Sequence, residues 1–221
     1  MGDINKQKKF SELESQNYPR DGEWNDIDPI IKGLSSDTKN VRPGYIFFAI
    51  NGIKTHGAYF AKKAIEKGAV LIITDLEGAQ VLQKANIEIA VLIVPNTRQK
   101  LAEYAARWNE LQPKTQIAIT GTNGKTSVCN FVEQIWNFLG YRAASIGTLG
   151  VRADTYLELN NTTPDPILLH KILRNLAENQ IEYVSMEASS HGLDQYRLEG
   201  VNLKAAAFTN LSRDHLDYHT D

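Results

Sequence analysis

Residues 117–128 read IAITGTNGKTSV, in which a turn with two glycines joins a short apolar run to the first turn of a predicted helix. A strand, a turn and a helix in this order leave several backbone N–H groups pointing into one concavity at the positive end of the helix dipole. Such a concavity binds polyphosphates. Lys125 adds a charge for the β and γ phosphates, and the Thr126 hydroxyl is placed to bind the accompanying Mg2+. We therefore predict a nucleotide site; the alternative is a strand-to-helix turn that binds nothing.

The glycine spacing departs from the general phosphate-loop pattern. Gly121 and Gly124 are separated by two residues, where the general pattern has four. The nucleotide interpretation is still favoured because Gly-Lys-Thr follows at the required place.

We expect Cys129 to pack in the protein interior rather than to react. In the helix predicted over residues 125–139, the expected buried stripe consists of Val128, Val132, Ile135 and Leu139.

The composition is that of an ordinary globular protein. The 221 residues are 42% hydrophobic and 23% charged, with a formal net charge of -2, so charge gives no reason to expect a nucleic-acid partner. The single cysteine cannot form an internal disulfide, and MGDINKQKKFSELES at the start has no apolar stretch for a signal peptide or membrane insertion. We expect a cytoplasmic, monomeric protein.

Strand and helix patterns alternate along the chain, which predicts an α/β fold. Apolar runs at residues 45–50, 69–73 and 89–94 predict strands of a small amino-terminal α/β domain. A helix with Leu101, Tyr104, Ala105 and Trp108 on one face is expected to run until Pro113 ends it, so we predict domains at residues 1–112 and 113–221. The second domain is interpreted as the first part of a phosphate-loop NTPase-type parallel-sheet domain. Its predicted elements are strands at 116–120, 143–148, 183–187 and 204–210, a helix at 166–180, and a polar excursion up to about residue 163.

Two further polar clusters follow predicted strands. Glu187 ends YVSME, and Asn210 ends AAAFTN and leads into LSRDHLDYH. Because ligands gather at the carboxyl ends of the strands in open α/β sheets, both clusters are expected beside the phosphate loop. Glu187 is a candidate Mg2+ ligand or a salt-bridge or capping carboxylate. His215, between Asp214 and Asp217, is a candidate metal ligand or an ordinary surface histidine.

Four motifs in order carry a family resemblance: GTNGKTS, NNTTPDP, MEASSHGLDQYRLEG and FTNLSRDHLDYH. Together they resemble the Mur ligases, and within that family the UDP-N-acetylmuramoyl-tripeptide synthetases, which add the third amino acid to the peptidoglycan precursor. SSDTKNVRPGYIFFAINGIKTHG in the first domain is similar to the uridine-nucleotide segment of this family, so the resemblance covers essentially the whole chain.

The resemblance implies a role for each of these positions. Lys125 would clamp the ATP phosphates, Thr126 and Glu187 would bind one Mg2+, and His215 would bind a second. The rest of the ATP site would be Gly121, Thr122, Asn123, Gly124, Ser127, Asn210 and Asp214. The precursor, UDP-N-acetylmuramoyl-L-alanyl-D-glutamate, would contact Ser36, Thr38, Ile53, Lys54 and Thr55, and then Asn161, Thr162, Thr163, Ser189, Gln195 and Arg197. Asp165 and Pro166 also suit a capped helix start, so NTTPDP is compatible with a structural role as well.

The reaction implied is an ATP-dependent amide ligation. The γ-phosphoryl group passes to the side-chain carboxylate of D-glutamate, and the amino group of a diamino acid then displaces phosphate from the acyl phosphate. The resemblance favours diaminopimelate as the added amino acid only because ligases that add it are the commoner members of the family. The alternatives left open are an L-lysine-adding ligase, a ligase similar to folylpolyglutamate synthetases, and a non-catalytic nucleotide-binding protein.

The resemblance ends at Asp221. The family pattern would continue with a carbamylated lysine, the rest of the central sheet and a carboxyl-terminal domain that binds the amino acid. We therefore expect an amino-terminal fragment of a longer ligase, inactive alone, in which the strand at 204–210 lies at an open sheet edge.

Overall fold

The structure is a computed structural model, and it describes residues 6–14, 28–153, 156–213 and 218–219. The chain divides into two compact units, Met1–Trp108 and Asn109–Asp221. The domain assignment made from the sequence, with its boundary after residue 112, stays a prediction.

The first unit is built around a four-stranded parallel sheet with the strand order β3-β4-β5-β6. A short antiparallel pair, β1-β2, precedes it. The strands are β1 (Lys8–Lys9), β2 (Ile30–Ile31), β3 (Gly33–Ser35), β4 (Tyr45–Ala49), β5 (Ala69–Thr74) and β6 (Val91–Ile93). The helices are α1 (Phe10–Leu13), α2 (Ala61–Glu66), α3 (Leu76–Lys84) and α4 (Thr97–Asn109), with a 3-10 turn at Gly57–Phe60.

The α4 helix confirms the predicted apolar face except at Trp108, which is only half-buried, and it ends earlier than expected. Leu101, Tyr104 and Ala105 are buried, and the Tyr104 ring stands edge-on to Phe48 with centroids 5.7 Å apart. The helix ends at Asn109 rather than at Pro113, because Glu110 takes a left-handed conformation with φ of 65°.

The second unit holds a six-stranded sheet with the order β10-β9-β8-β11-β7-β12. The strands β8, β11, β7 and β12 are parallel to one another, whereas β9 and β10 run antiparallel to their neighbours. These strands are β7 (Thr115–Thr120), β8 (Ala143–Gly147), β9 (Gly150–Arg152), β10 (Tyr156–Leu157), β11 (Tyr183–Glu187) and β12 (Leu203–Phe208). The helices are α5 (Lys125–Phe138), α6 (Pro166–Glu178) and α7 (Ser190–Asp194).

The two faces of β11 serve different neighbours, because successive side chains of a strand point to opposite faces. Val184 and Met186 join a buried apolar cluster with Leu169 and Leu173 of α6. The Ser185 hydroxyl points the other way and donates to the Cys129 carbonyl of α5 at 2.8 Å. Glu187 ends the strand on this second face, toward the first turn of α5.

The buried stripe predicted for α5 is wrong by about one residue. Ile135 and Leu139 are 56% and 60% exposed, whereas Cys129 and Glu133 are buried. The Ser185 hydroxyl of β11 bonds the Cys129 carbonyl, so this side of α5 lies against the sheet.

The sequence interpretation also missed the β9 and β10 strands in the segment expected to be a polar excursion. Thr148 and Leu149 form a two-residue turn between β8 and β9, flanked by the paired glycines Gly147 and Gly150. Gly150 has a φ of 82°, and a Cβ there would lie 2.3 Å from the Leu157 carbonyl oxygen. A pair of glycines separated by two residues was the available signal for this hairpin.

The β12 strand lies at one edge of this sheet, where it pairs with β7 within the described residues. All six of its residues are exposed. In the part of the chain that the structure describes, no helix is both long and apolar enough to cross a membrane.

Candidate nucleotide and precursor site

The loop between β7 and α5 has the shape expected of an anion cradle. Gly121 and Gly124 have φ values of 124° and 86°, which residues with a Cβ rarely adopt. Gly124 caps the fourteen-residue α5, so the free N–H groups of its first turn open into the loop. A Cβ on Gly124 would find no heavy atom closer than 4.0 Å, whereas one on Gly121 would lie 2.2 Å from Thr209 Oγ1. The concavity is therefore open on the Gly124 side and closely backed at Gly121.

The ammonium of Lys125 lies within this loop. Its Nζ atom donates hydrogen bonds to the carbonyl oxygens of Gly121, at 2.6 Å, and Thr122, at 3.0 Å. These bonds hold the Lys125 charge at the loop, where it would attract an anion. Ser127 follows on the first turn of α5 and is exposed.

The residues after β12 support the loop from behind. The Asn210 side chain accepts from the Asn123 N–H and donates to the Asn123 carbonyl, both at 3.0 Å. The Thr209 hydroxyl donates to the same carbonyl at 2.7 Å, and the Ser212 N–H donates to Thr122 Oγ1 at 2.9 Å. In this structure the Asn210 side chain thus holds the backbone of the loop between β7 and α5. Thr209 and Ser212 were not predicted from the sequence.

Glu187 is a buried carboxylate, 3% exposed, beside the first turn of α5. Its Oε2 atom accepts from the Thr126 hydroxyl at 3.0 Å and the Thr148 hydroxyl at 3.3 Å, and its Oε1 atom accepts from the Thr148 N–H at 2.8 Å. A Cβ on Gly147 would lie 2.1 Å from Oε1, so only glycine leaves room for this carboxylate. Glu187 and Thr126 are therefore brought together as predicted, and Thr148 is an additional partner.

The Cys129 side chain lies near these residues but is buried and unreactive. Burial, and then the negative charge of Glu187, raise the pKa of the Cys129 thiol to about 12, against a smaller opposing effect of Lys125. The thiol stays protonated at neutral pH and packs in the interior.

Asp214 and His215 lie outside the described residues, and their assignment to the nucleotide and to a second metal ion stays a prediction. Within the residues that are described, no three His, Cys, Asp or Glu side chains are grouped as metal ligands. The metal candidates that can be located are one hydroxyl and one carboxylate, Thr126 and Glu187.

The NTTP segment joins the Glu187 strand through hydroxyl groups. Thr163 is 2% exposed; its hydroxyl donates to the Glu187 carbonyl at 2.9 Å and accepts from the Ser189 N–H at 3.0 Å. The Ser189 hydroxyl lies 3.1 Å from Thr163 Oγ1 and caps α7 by accepting from the Gly192 N–H. Thr162 is half-buried, with its hydroxyl 3.0 Å from Thr148 Oγ1, and Asn161 is exposed.

Arg197 is oriented by its neighbours. Its Nη1 atom donates to the Thr163 carbonyl at 2.6 Å, and its Nη2 atom donates to Gln195 Oε1 at 2.8 Å. The Gln195 amide in turn donates to the Tyr218 hydroxyl, which donates to Asp194. The predicted precursor residues Thr163, Ser189, Gln195 and Arg197 therefore form one connected cluster, and Tyr218 is the member that sequence reasoning missed.

In the first unit, residues 51–55 form an exposed loop that is held by hydrogen bonds at one end. Ile53 is 88% exposed at its tip, and Lys54 and Thr55 are exposed with it. Buried His56 holds one end: its Nδ1 accepts from the Ala58 N–H at 3.0 Å, so its Nε2 carries the proton shared with Asp75, also at 3.0 Å. Of the other predicted contacts, Ser36 is exposed and Thr38 is 9% exposed.

Family models match both units. The model described as Mur ligase family, catalytic domain, matches residues 30–109, and the Mur ligase middle domain matches residues 119–221. These matches contain the exposed loop of the first unit and the phosphate loop through Glu187 and Arg197 in the second.

Curated relatives agree with this match. A UDP-N-acetylmuramoyl-L-alanyl-D-glutamate--2,6-diaminopimelate ligase of Mesorhizobium japonicum is 50% identical over 190 residues, covering 86% of this chain and 38% of the relative. The same-named protein of Brucella melitensis is 46% identical over 212 residues, covering 96% and 42%. The chain thus spans about two fifths of the length of these relatives.

Solved structures share the fold. One of a UDP-N-acetylmuramoyl-L-alanyl-D-glutamate--2,6-diaminopimelate ligase is similar with a TM-score of 0.79 and 32% identity, covering 97% of this chain and 42% of that one. A MurF from Acinetobacter baumannii has a TM-score of 0.55 at 22% identity, which supports the fold alone. The α/β fold class predicted from the sequence is confirmed.

Proposed function

Because the chain belongs to the Mur ligase family, we propose that it supplies the nucleotide-binding and precursor-binding parts of an ATP-dependent ligase. The ligase adds diaminopimelate to UDP-N-acetylmuramoyl-L-alanyl-D-glutamate, the reaction named for its relatives. One structural observation supports the proposal independently of the names of the relatives. Glu187 bonds Thr126 of the phosphate loop through its side chain and Thr163 of the NTTP segment through its backbone, so both candidate sites meet on one residue.

The residues present fit ATP with Mg2+. The open side of the loop at Gly124, the N-terminus of α5 and the Lys125 ammonium together favour a polyphosphate. Thr126 and Glu187 offer the oxygen ligands that Mg2+ prefers, and His215 is proposed for a second ion. When bound, Mg2+ would neutralise charge on the phosphate oxygens.

For the precursor, we propose contacts within each unit taken by itself. Its uridine end contacts Ser36, Thr38 and the exposed loop at residues 53–55, whose exposed Ile53 offers an apolar surface. Its muramoyl-dipeptide end contacts Asn161, Thr162 and the Arg197 cluster. A guanidinium already oriented by Gln195 and the Thr163 carbonyl needs little further ordering to bind a phosphate or carboxylate.

The chemistry proposed is carboxylate activation followed by amide formation. Lys125 holds the γ-phosphoryl group as it passes to the side-chain carboxylate of D-glutamate, which leaves ADP and an acyl phosphate. The amino group of diaminopimelate then attacks the acyl carbon, losing a proton and releasing inorganic phosphate. Positioning of the reactants supplies most of the acceleration. We place this ligase in the cytoplasm as a monomer.

Isothermal titration calorimetry of the purified chain tests the assignment. We expect saturable binding of UDP-N-acetylmuramoyl-L-alanyl-D-glutamate and, separately, of a non-hydrolysable ATP analogue with Mg2+. UDP-glucose serves as the control ligand, since it has the nucleotide but lacks the muramoyl dipeptide, and should bind more weakly. A folded chain that binds neither the precursor nor the ATP analogue would overturn the proposal. A chain that binds the analogue alone would support the non-catalytic nucleotide-binding alternative.

A further inference from the structure

Thr148 lies between residues of the two candidate sites. It begins the two-residue turn between β8 and β9, and its N–H donates to Glu187 Oε1 at 2.8 Å. Its hydroxyl oxygen lies 3.3 Å from Glu187 Oε2 on one side and 3.0 Å from Thr162 Oγ1 on the other. Thr148 therefore connects the buried carboxylate to a predicted precursor residue.

The direction of this hydroxyl chain follows from counting protons. A carboxylate only accepts hydrogen bonds, and each hydroxyl has one proton to donate. Thr148 donates its proton to Glu187, since two oxygens facing each other without a proton between them would repel. Its contact with Thr162 must then be one in which Thr162 donates. This leaves Thr162 Oγ1 with lone pairs, and no proton, for a ligand.

We propose that Thr148 is a positioning residue that makes Thr162 a hydrogen-bond acceptor, so that Thr162 recognises an N–H or O–H donor of the precursor. The inference rests on the proposed function and specifies which kind of group the precursor presents to Thr162. A phosphate oxygen, itself an acceptor, is disfavoured there. The donor comes either from the peptide amides or from the N-acetylmuramoyl group, and the two sources can be separated by ligand.

The test compares the precursor affinity of variants of this chain by calorimetry without Mg2+. Thr148→Val keeps the shape and the backbone N–H but removes the hydroxyl, and it should weaken binding roughly five-fold, as for one neutral hydrogen bond. Thr148→Ser restores the hydroxyl and should stay within about two-fold of the parent. Because Thr148 acts through Thr162, adding Thr148→Val to Thr162→Val should cause no further loss.

Glu187→Gln tests the direction of the chain itself. Its amide oxygen must face the Thr148 N–H, which places the NH2 group at the Oε2 position as a donor. The hydroxyl chain then reverses, Thr162 presents its proton, and precursor binding should weaken at least as much as in Thr148→Val. Unchanged binding in Glu187→Gln would overturn the direction argument.

Other results separate the possibilities. Equal affinities of the parent and Thr148→Val, or additive losses in the double variant, would overturn the positioning role while leaving the proposed function intact. Failure of the folded parent chain to bind the precursor would overturn the proposed function instead. A loss in Thr162→Val that also appears with UDP-N-acetylmuramic acid assigns the donor to the sugar moiety, and one confined to the dipeptide ligand assigns it to a peptide N–H. Thermal unfolding midpoints of all variants, compared with the parent, exclude misfolding as the cause.

Discussion

Asn210 holds Asn123 at both ends of its backbone: the side-chain amide accepts from the Asn123 N–H and donates to its carbonyl, each at 3.0 Å. The two residues are far apart in sequence and meet because β12 lies beside β7. The shape of the phosphate loop therefore depends on a neighbouring strand as well as on its own glycines.

Gly121 is the position where this support leaves least space. Gly121→Ala combines a φ of 124° with a Cβ 2.2 Å from Thr209 Oγ1 and 2.8 Å from the Asn210 carbonyl oxygen. We expect it to lower the free energy of unfolding by about 2 kcal/mol or more. Gly140→Ala is the matched control, because its φ is also positive, 85°, but nothing lies within 4 Å. It should cost about 1 kcal/mol. Urea unfolding measures both, and equal losses would contradict the close packing at Gly121.

Lys125→Ala should remove most of the affinity for an ATP analogue with Mg2+. Loss of a charge-assisted contact corresponds to about 1.5–3 kcal/mol, or roughly ten-fold to a hundred-fold in Kd. Precursor binding measured by calorimetry should remain. Lys171→Ala, which removes an exposed lysine from α6, controls for the change in net charge. Normal nucleotide affinity in Lys125→Ala would refute the phosphate-loop assignment.

Arg197→Ala should weaken precursor binding ten-fold or more, about 1.4 kcal/mol, since one charge-assisted contact is lost. Arg197→Lys should not restore affinity, because an ammonium cannot reproduce a fork that bonds Gln195 and the Thr163 carbonyl together. The control is Arg174→Ala, whose guanidinium pairs with Glu178 on α6. Calorimetry that finds the parent Kd in Arg197→Ala would mean that the guanidinium does not contact the precursor.

Because of His170, we expect the free energy of unfolding to fall in mild acid. Burial lowers the pKa of His170, and its Nε2 donates to the Glu199 carbonyl at 3.0 Å while Nδ1 is buried with no partner among the described residues. The unfolded chain therefore binds a proton more readily than the folded one, and stability falls as pH drops below about 6.5.

Urea unfolding at pH 7.5 and pH 5.5 measures this effect. His170→Gln removes the titrating group and should flatten the pH dependence, even if it lowers stability overall. An identical pH dependence in His170→Gln and the parent would show that His170 does not control it.

Local patterns were sufficient to predict much of the fold and part of the candidate site. The apolar runs that became β4, β5, β7 and β11 are short, rich in branched residues and bounded by turns, so their strand character is encoded in neighbouring residues. The loop before α5 was predictable for the same reason: its glycine conformations, helix start and lysine lie within a few residues of one another.

Tertiary structure decided which face of α5 is buried and which distant side chains meet. Cys129 rather than Ile135 faces the sheet because the α5 backbone contacts Ser185. Thr148 reaches Glu187 only because β8 and β11 are adjacent in the sheet. The sequence by itself determined strands such as β4, β5, β7 and β11 and the glycine loop before α5, since these depend on neighbouring residues. Helix orientation and the hydroxyl chain through Thr148 were decided by the strand order, because that order alone brings remote residues within hydrogen-bond distance.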